Sequence, residues 1–158
     1  MRTTLKLALG ALALAVALPA AAQTAPDKTY ASSAEIAAVL AKAKAAATPG
    51  GPTTGGPLLT LAPYRASLEY RTGKANGAVH ENEAEFFYVL EGSGTWMLGG
   101  HLKDPKRTNE HNLSGEIEGG EARKVAKGDV LFVPQNTPHQ VVQVDGALVL
   151  ISMHVPRP

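Results

Sequence analysis

Cysteine is absent from all 158 residues. That excludes disulfides, thiolate metal sites and thiol nucleophiles, and it leaves the chain compatible with an oxidising compartment without depending on one. Aromatic residues are scarce, at 5 % of the sequence with a single Trp. No basic, aromatic-lined groove for single-stranded nucleic acid stands out. An excess of one charge is also missing, because 15 Lys and Arg stand against 14 Asp and Glu. Such a balance carries no electrostatic footprint for nucleic acid or an anionic membrane surface. Neither a Ser-His-Asp order nor a phosphate loop stands out.

Long apolar runs are lacking as well, with one exception. Arg2 and Lys6 give a charged start, Leu7 to Leu18 is apolar, and Ala20-Ala21-Ala22 supplies small residues. That order predicts a cleaved signal peptide over residues 1–22, with Gln23 as the new N-terminus. The apolar run is too short for a membrane-spanning helix. Removing Arg2 and Lys6 leaves 13 basic and 14 acidic side chains, a formal charge of −1. The expected mature protein is one exported domain, periplasmic in a Gram-negative bacterium, with no membrane association after cleavage.

Residues 23–57 read as an arm, a helix and a linker. Ser32 followed three residues later by Glu35 fits a capping box, and Ile36, Val39 and Leu40 make a narrow apolar stripe for packing on the main body. Thr48 to Pro57 holds four glycines and three prolines, which predicts a linker without regular structure. From Leu58 onward the pattern is short alternating runs: "YRASLEYR", "EFFYVLEG", "TWML", "RKVA", "VLFVP", "HQVVQV" and "ALVLISMHV". Eight or nine strands in residues 58–158 predict an antiparallel sandwich or barrel, an all-β domain. Gly99 to Glu121 reads as a long polar loop, either functional or loosely ordered. Its His101 and His111 read as solvated.

The residues able to carry chemistry cluster in two stretches. In "GDVLFVPQNTPHQVVQ", Pro134 ends a strand, Asn136 suits a left-handed turn, and Pro138 stiffens the approach to His139. Alternation then sets His139, Val141 and Gln143 on one face. In "GAVHENEAEFFYVLEGSG", His80 precedes Glu85 by five positions, and Glu85, Phe87 and Val89 share a face. If these faces are the barrel interior, His80, Glu85 and His139 form a 2-His-1-carboxylate set. Imidazole and carboxylate suit divalent iron, manganese, zinc or nickel, with open positions for water or substrate. An inward carboxylate without a partner or a cation would be costly. Metal-free hydrogen bonding between Glu85 and the two histidines is the competing account.

These stretches resemble the two motifs of the cupin superfamily. For G-x5-P-x-G-x2-H-x3-N, all spacings hold from Gly128 through Pro134, Asn136 and His139 to Gln143, with Asn136 in the glycine slot and Gln143 in the asparagine slot. For G-x5-H-x-H-x(3,4)-E-x6-G, the end fits: His80, Glu85 and Gly92. One histidine is missing. Either Ala78 fills the first histidine slot, or His80 does and Asn82 replaces the second. The resemblance implies a small jelly-roll barrel, which the strand count supports independently. It also implies a metal set of His80, Glu85 and His139. The fourth position is open to water, Asn82, Gln143 or a histidine of the long loop.

Two functions follow as expectations. One is a metal-dependent enzyme (oxygenase, isomerase or lyase type) acting on a small oxygen-bearing molecule, with Phe87, Val89 and Val141 lining an apolar pocket. The other is a metal-free cupin that binds a sugar or organic acid without turnover. The resemblance also implies a homodimer.

Overall fold

The computed structural model describes residues 26–157, so the predicted signal peptide lies outside the described residues. They contain one helix, α1 (Ser33–Ala46), and nine strands. The strands are β1 (Thr54–Leu61), β2 (Tyr64–Arg71), β3 (Gly77–His80), β4 (Glu83–Leu98), β5 (His101–Asn109), β6 (Asn112–Glu118), β7 (Glu121–Ala126), β8 (Val130–Val133) and β9 (His139–Pro156). No helix among them is long and apolar enough to cross a membrane.

The helix forms where the capping box predicts it. Glu35 N–H donates to Ser32 Oγ at 3.2 Å, and Ser32 N–H donates back to Glu35 Oε2 at 2.8 Å. Ile36, Val39, Leu40 and buried Ala43 then pack on Leu58, Leu68 and Val149. The helix therefore covers the outer face of β1 and β2.

The strands pair antiparallel in the order β1-β2-β9-β3-β6-β5, with β4 against β7, β8 and β9. This is the expected jelly-roll barrel. Its spine is the long ribbon of β4 and β9, paired from Glu83↔Pro156 to Leu98↔His139. Period-two alternation sets the inner face: Glu85, Phe87 and Val89 of β4 lie opposite His154, Ser152 and Leu150 of β9. Leu131 and Val133 of β8 pair with Phe87 and Glu85 from the other side. Phe87 and Trp96 meet edge to face at 4.5 Å between ring centroids, packed with Val89, Val141, Leu148 and Leu150. Each such buried side chain contributes about 1.5–3 kcal/mol of transfer free energy.

Four expectations need correction. The predicted linker ends early, because Thr54 to Pro57 already pair with Tyr70 to Ser67 of β2. β1 is an edge strand, where a proline costs no ladder bond on its open side. Gly99 to Glu121 is not a loop but mostly the hairpin of β5 and β6. "EGSG" and "DG", which lie between the alternating runs and read from their glycines as turns, are not turns. They are irregularities inside continuous strands, which fuse four predicted runs into β4 and β9. At Gly92, φ is +81° and an added Cβ would collide with the Ala147 carbonyl oxygen, so only glycine lets the ribbon bend there. Finally, Phe87, Val89 and Val141 do not line an open pocket. At 0–1 % exposure they are solid core.

A candidate metal centre of three histidines and a glutamate

Glu85 is the hub. It sits on the inner face of β4 at 4 % exposure, and three imidazoles converge on its carboxylate. His80 Nε2 lies 3.1 Å from Oε2, His139 Nε2 3.3 Å from Oε2, and His154 Nε2 3.0 Å from Oε1. The ligating atoms of His80, Glu85 and His154 all lie within 4.8 Å of one another.

Local structure explains each position. His80 ends β3, where its carbonyl accepts the Asn136 N–H at 2.8 Å. Asn136 holds that turn at φ +59°, the left-handed conformation expected of it. The turn delivers His139 to the start of β9, where it pairs with Ala78. His154 follows from alternation along β9: Leu148, Leu150, Ser152 and His154 share one face, and His154 is the direct cross-strand neighbour of Glu85.

The far nitrogen of each ring is tied to an acceptor. His80 Nδ1–H donates to Asn112 Oδ1 at 2.9 Å, and His139 Nδ1–H to the Thr137 carbonyl at 3.1 Å. His154 Nδ1–H donates to Glu83 Oε1 at 2.8 Å. A neutral imidazole whose Nδ1 carries the proton has its lone pair on Nε2. All three lone pairs then face one carboxylate. Burial pushes the Glu85 carboxyl up, but hydrogen bonds from His139, His154 and His80 outweigh it and hold the carboxyl far below the usual carboxylate range. An ionised carboxylate only accepts, so positive charge must lie between it and the rings.

Protons on one or more of the rings can supply that charge, or one cation can serve them all. Three imidazolium rings packed round one buried carboxylate repel one another. A single divalent ion uses every lone pair with the rings neutral. Imidazole nitrogens and a carboxylate oxygen are donors that suit a transition metal; those of His80, Glu85 and His154 form the mutually close group, with His139 Nε2 beside it at 3.3 Å from Oε2. Burial pulls His80 down, yet hydrogen bonds to Glu85 and Asn112 raise its pKa above the ordinary value, so the field at this spot favours positive charge. The His80 and His154 side chains are 14 % and 15 % exposed, against 5 % for Glu85, so solvent reaches the cluster from their side.

The structure thus brings together His80, Glu85 and His139. It leaves out Asn82, which is exposed in the bend after β3 and accepts the Arg157 N–H on its carbonyl at 2.9 Å. It also leaves out Gln143. Trp96 pairs with Val141 but Thr95 with Gln143, so Val142 is an extra residue. The bulge reverses the alternation, and Gln143 turns outward to donate to Asp145 Oδ1 at 2.7 Å. His101 and His111 are solvent-exposed on the hairpin, as expected. His80 fills the second histidine slot and Ala78 the first. The third histidine comes instead from His154, outside both motifs. Its signal was the alternation of "LVLISMH", where polar Ser152 interrupts an otherwise apolar face.

No family model matches the chain, and no curated protein sequence does. Solved structures do match. Hydroquinone 1,2-dioxygenase PnpCD, in complex with Cd2+ and 4-hydroxybenzonitrile, is similar at TM-score 0.55 and 14 % identity, over 76 % of this chain and 72 % of that one. An RmlC-like cupin from Shewanella frigidimarina NCIMB 400 gives 0.46 and 18 %, over 68 % and 79 %. A cupin superfamily protein from Desulfitobacterium hafniense DCB-2 gives 0.48 and 12 %, over 73 % and 87 %. The likeness is one of fold, the jelly-roll β-barrel.

Proposed function

We propose that the chain is a cupin that holds one divalent transition metal through His80, Glu85, His139 and His154 and presents it to a small oxygen-bearing molecule. The observation that carries this reading is the convergence of three Nε2 atoms on one buried carboxylate, with every Nδ1 already engaged by an oxygen. Bound there, the metal would supply Lewis acidity or, if iron, dioxygen chemistry. The chain's own part is to fix the donors. Asn112, the Thr137 carbonyl and Glu83 set the tautomers, and Glu85 supplies the negative charge. Tight packing of Phe87, Trp96 and Val141 beneath the cluster excludes water from that side, so a ligand approaches past His80 and His154. A small molecule suits a barrel this full.

Export to the periplasm and a homodimeric state belong to the same proposal. Subcellular fractionation, N-terminal sequencing and light scattering test them. The central test is elemental analysis of the untagged protein, purified without chelator beside His80→Ala and His139→Ala. We expect about one equivalent of metal, in line with a single four-donor site, and its loss in both variants. A protein that contains no transition metal, and takes up none on titration, refutes the proposal.

A further inference from the structure

Glu83 is an unexpected buried carboxylate. Its place in "HENEAE" suggests a rim residue, but it is 7 % exposed and lies two positions before Glu85. Arg65 grips it with both terminal nitrogens, at 2.9 Å to Oε2 and 2.7 Å to Oε1. The same Oε1 accepts His154 Nδ1–H at 2.8 Å. On the other side of that ring, Nε2 faces Glu85. A register row makes this arrangement rigid, because Arg65 of β2 and Glu85 of β4 are the two cross-strand neighbours of His154 on β9.

The other two histidines rest on neutral acceptors, an amide and a backbone carbonyl. His154 has a charged one at hydrogen-bond distance, while the same Glu83 oxygen stands farther from His80 Nδ1, at 3.7 Å. A carboxylate behind an imidazole fixes its tautomer and strengthens the donor nitrogen on the far side. A guanidinium fork matched to both oxygens prevents that carboxylate from turning away or becoming a ligand itself.

Building on the proposed metal site, we infer that Glu83 and Arg65 are a positioning pair, which aims His154 at the metal and strengthens it as a donor. His154 lies outside the motif turn that steadies His139, and the pair supplies the support that the missing turn would give. Glu83 is a positioning residue and touches neither metal nor substrate.

The test compares wild type, Glu83→Ala, Glu83→Gln and Arg65→Met, each stripped of metal and titrated with Zn2+ and Co2+. We expect Glu83→Ala to weaken binding about 10–100-fold, the usual effect of losing an outer-shell carboxylate. Glu83→Gln, which keeps an acceptor but not the charge, should fall between it and wild type. Arg65→Met should follow Glu83→Gln. Proton NMR of the Co2+ forms gives a readout that a merely structural ion pair would not move. Wild type should show a shifted, exchangeable Nδ1–H signal for each of the three rings, and Glu83→Ala should lose the His154 signal alone.

Unchanged affinity in Glu83→Ala and Glu83→Gln, with all three signals kept, overturns the inference while leaving the metal site standing. Wild type that binds neither ion overturns both. Should Glu83→Ala fail to fold, Glu83→Gln, nearly identical in shape, still decides.

Discussion

Replacing His154 with alanine separates the motif from the fold. By motif alone, His80, Glu85 and His139 are the site, and His154 is a bystander near the end of β9. By geometry, His154 Nε2 is the nitrogen nearest the carboxylate, at 3.0 Å against 3.1 Å and 3.3 Å. Four-ligand zinc sites are worth about 10–16 kcal/mol in apparent binding free energy. Shared evenly, that is roughly 2.5–4 kcal/mol per ligand, or two to three powers of ten in Kd. His154→Ala should therefore weaken Zn2+ binding by about two to three orders of magnitude, close to the losses in His80→Ala and His139→Ala. Competition against a chromophoric chelator reads such a range. Urea unfolding of the metal-free forms controls for structure, since Arg65 still partners Glu83 when the ring is gone. If His154→Ala binds Zn2+ as wild type does while the other two variants fail, His154 is no ligand and the four-donor site is wrong.

Other outcomes follow from single residues. Gln143→Ala should leave metal affinity unchanged, because the bulge at Val142 points Gln143 away; a tenfold loss would contradict the register. Phe87→Ala should cost about 3–5 kcal/mol in urea unfolding, since the ring is buried against Trp96; a cost below about 1 kcal/mol would mean the barrel core is not packed as described. Gly92→Ala should destabilise by more than about 1 kcal/mol through its left-handed backbone and the clash at Ala147, and a neutral result would refute the bend. The Glu35 carboxyl is lowered from 4.5 to about 2, chiefly by the Ser32 backbone N–H and then by Lys28. A lowered carboxyl stabilises the fold fully above pH 4.5 and not at all below about 2. Hydrogen exchange in α1 should thus accelerate as pH falls through that window, relative to the rate in Glu35→Gln.

The turn around Asn136 and the run from Glu85 were legible because their chemistry is local. A left-handed residue, two prolines and strict alternation act within a few positions. What escaped is set by partners distant in sequence. His154 becomes part of the cluster only through its register with Glu85, 69 positions away, and the serine on its face weakens the apolar signal. Gln143 was misplaced because nothing in "HQVVQ" announces an extra residue. The β5–β6 hairpin read as a loop for a different reason. Almost every side chain of β5 is exposed, so neither face carries an apolar row to detect. Gly92 and Gly146 looked like turns, since positive-φ glycines serve turns and strand bends alike.

His139 and His154 stand fifteen positions apart on one strand of 18 residues. Drawn straight, that length of strand would be about 50 Å. Here both rings touch the same carboxylate, so β9 and its partner β4 curl until the two ends of the ribbon meet. A cluster built from both ends of one strand is a gauge of curvature. An ion demanding longer donor bonds would open the ring, and a smaller one would tighten it, with the resistance supplied by the bend at Gly92 and the packing around Trp96. Choice among metals would then rest on the circumference of the barrel, far from the ligands themselves.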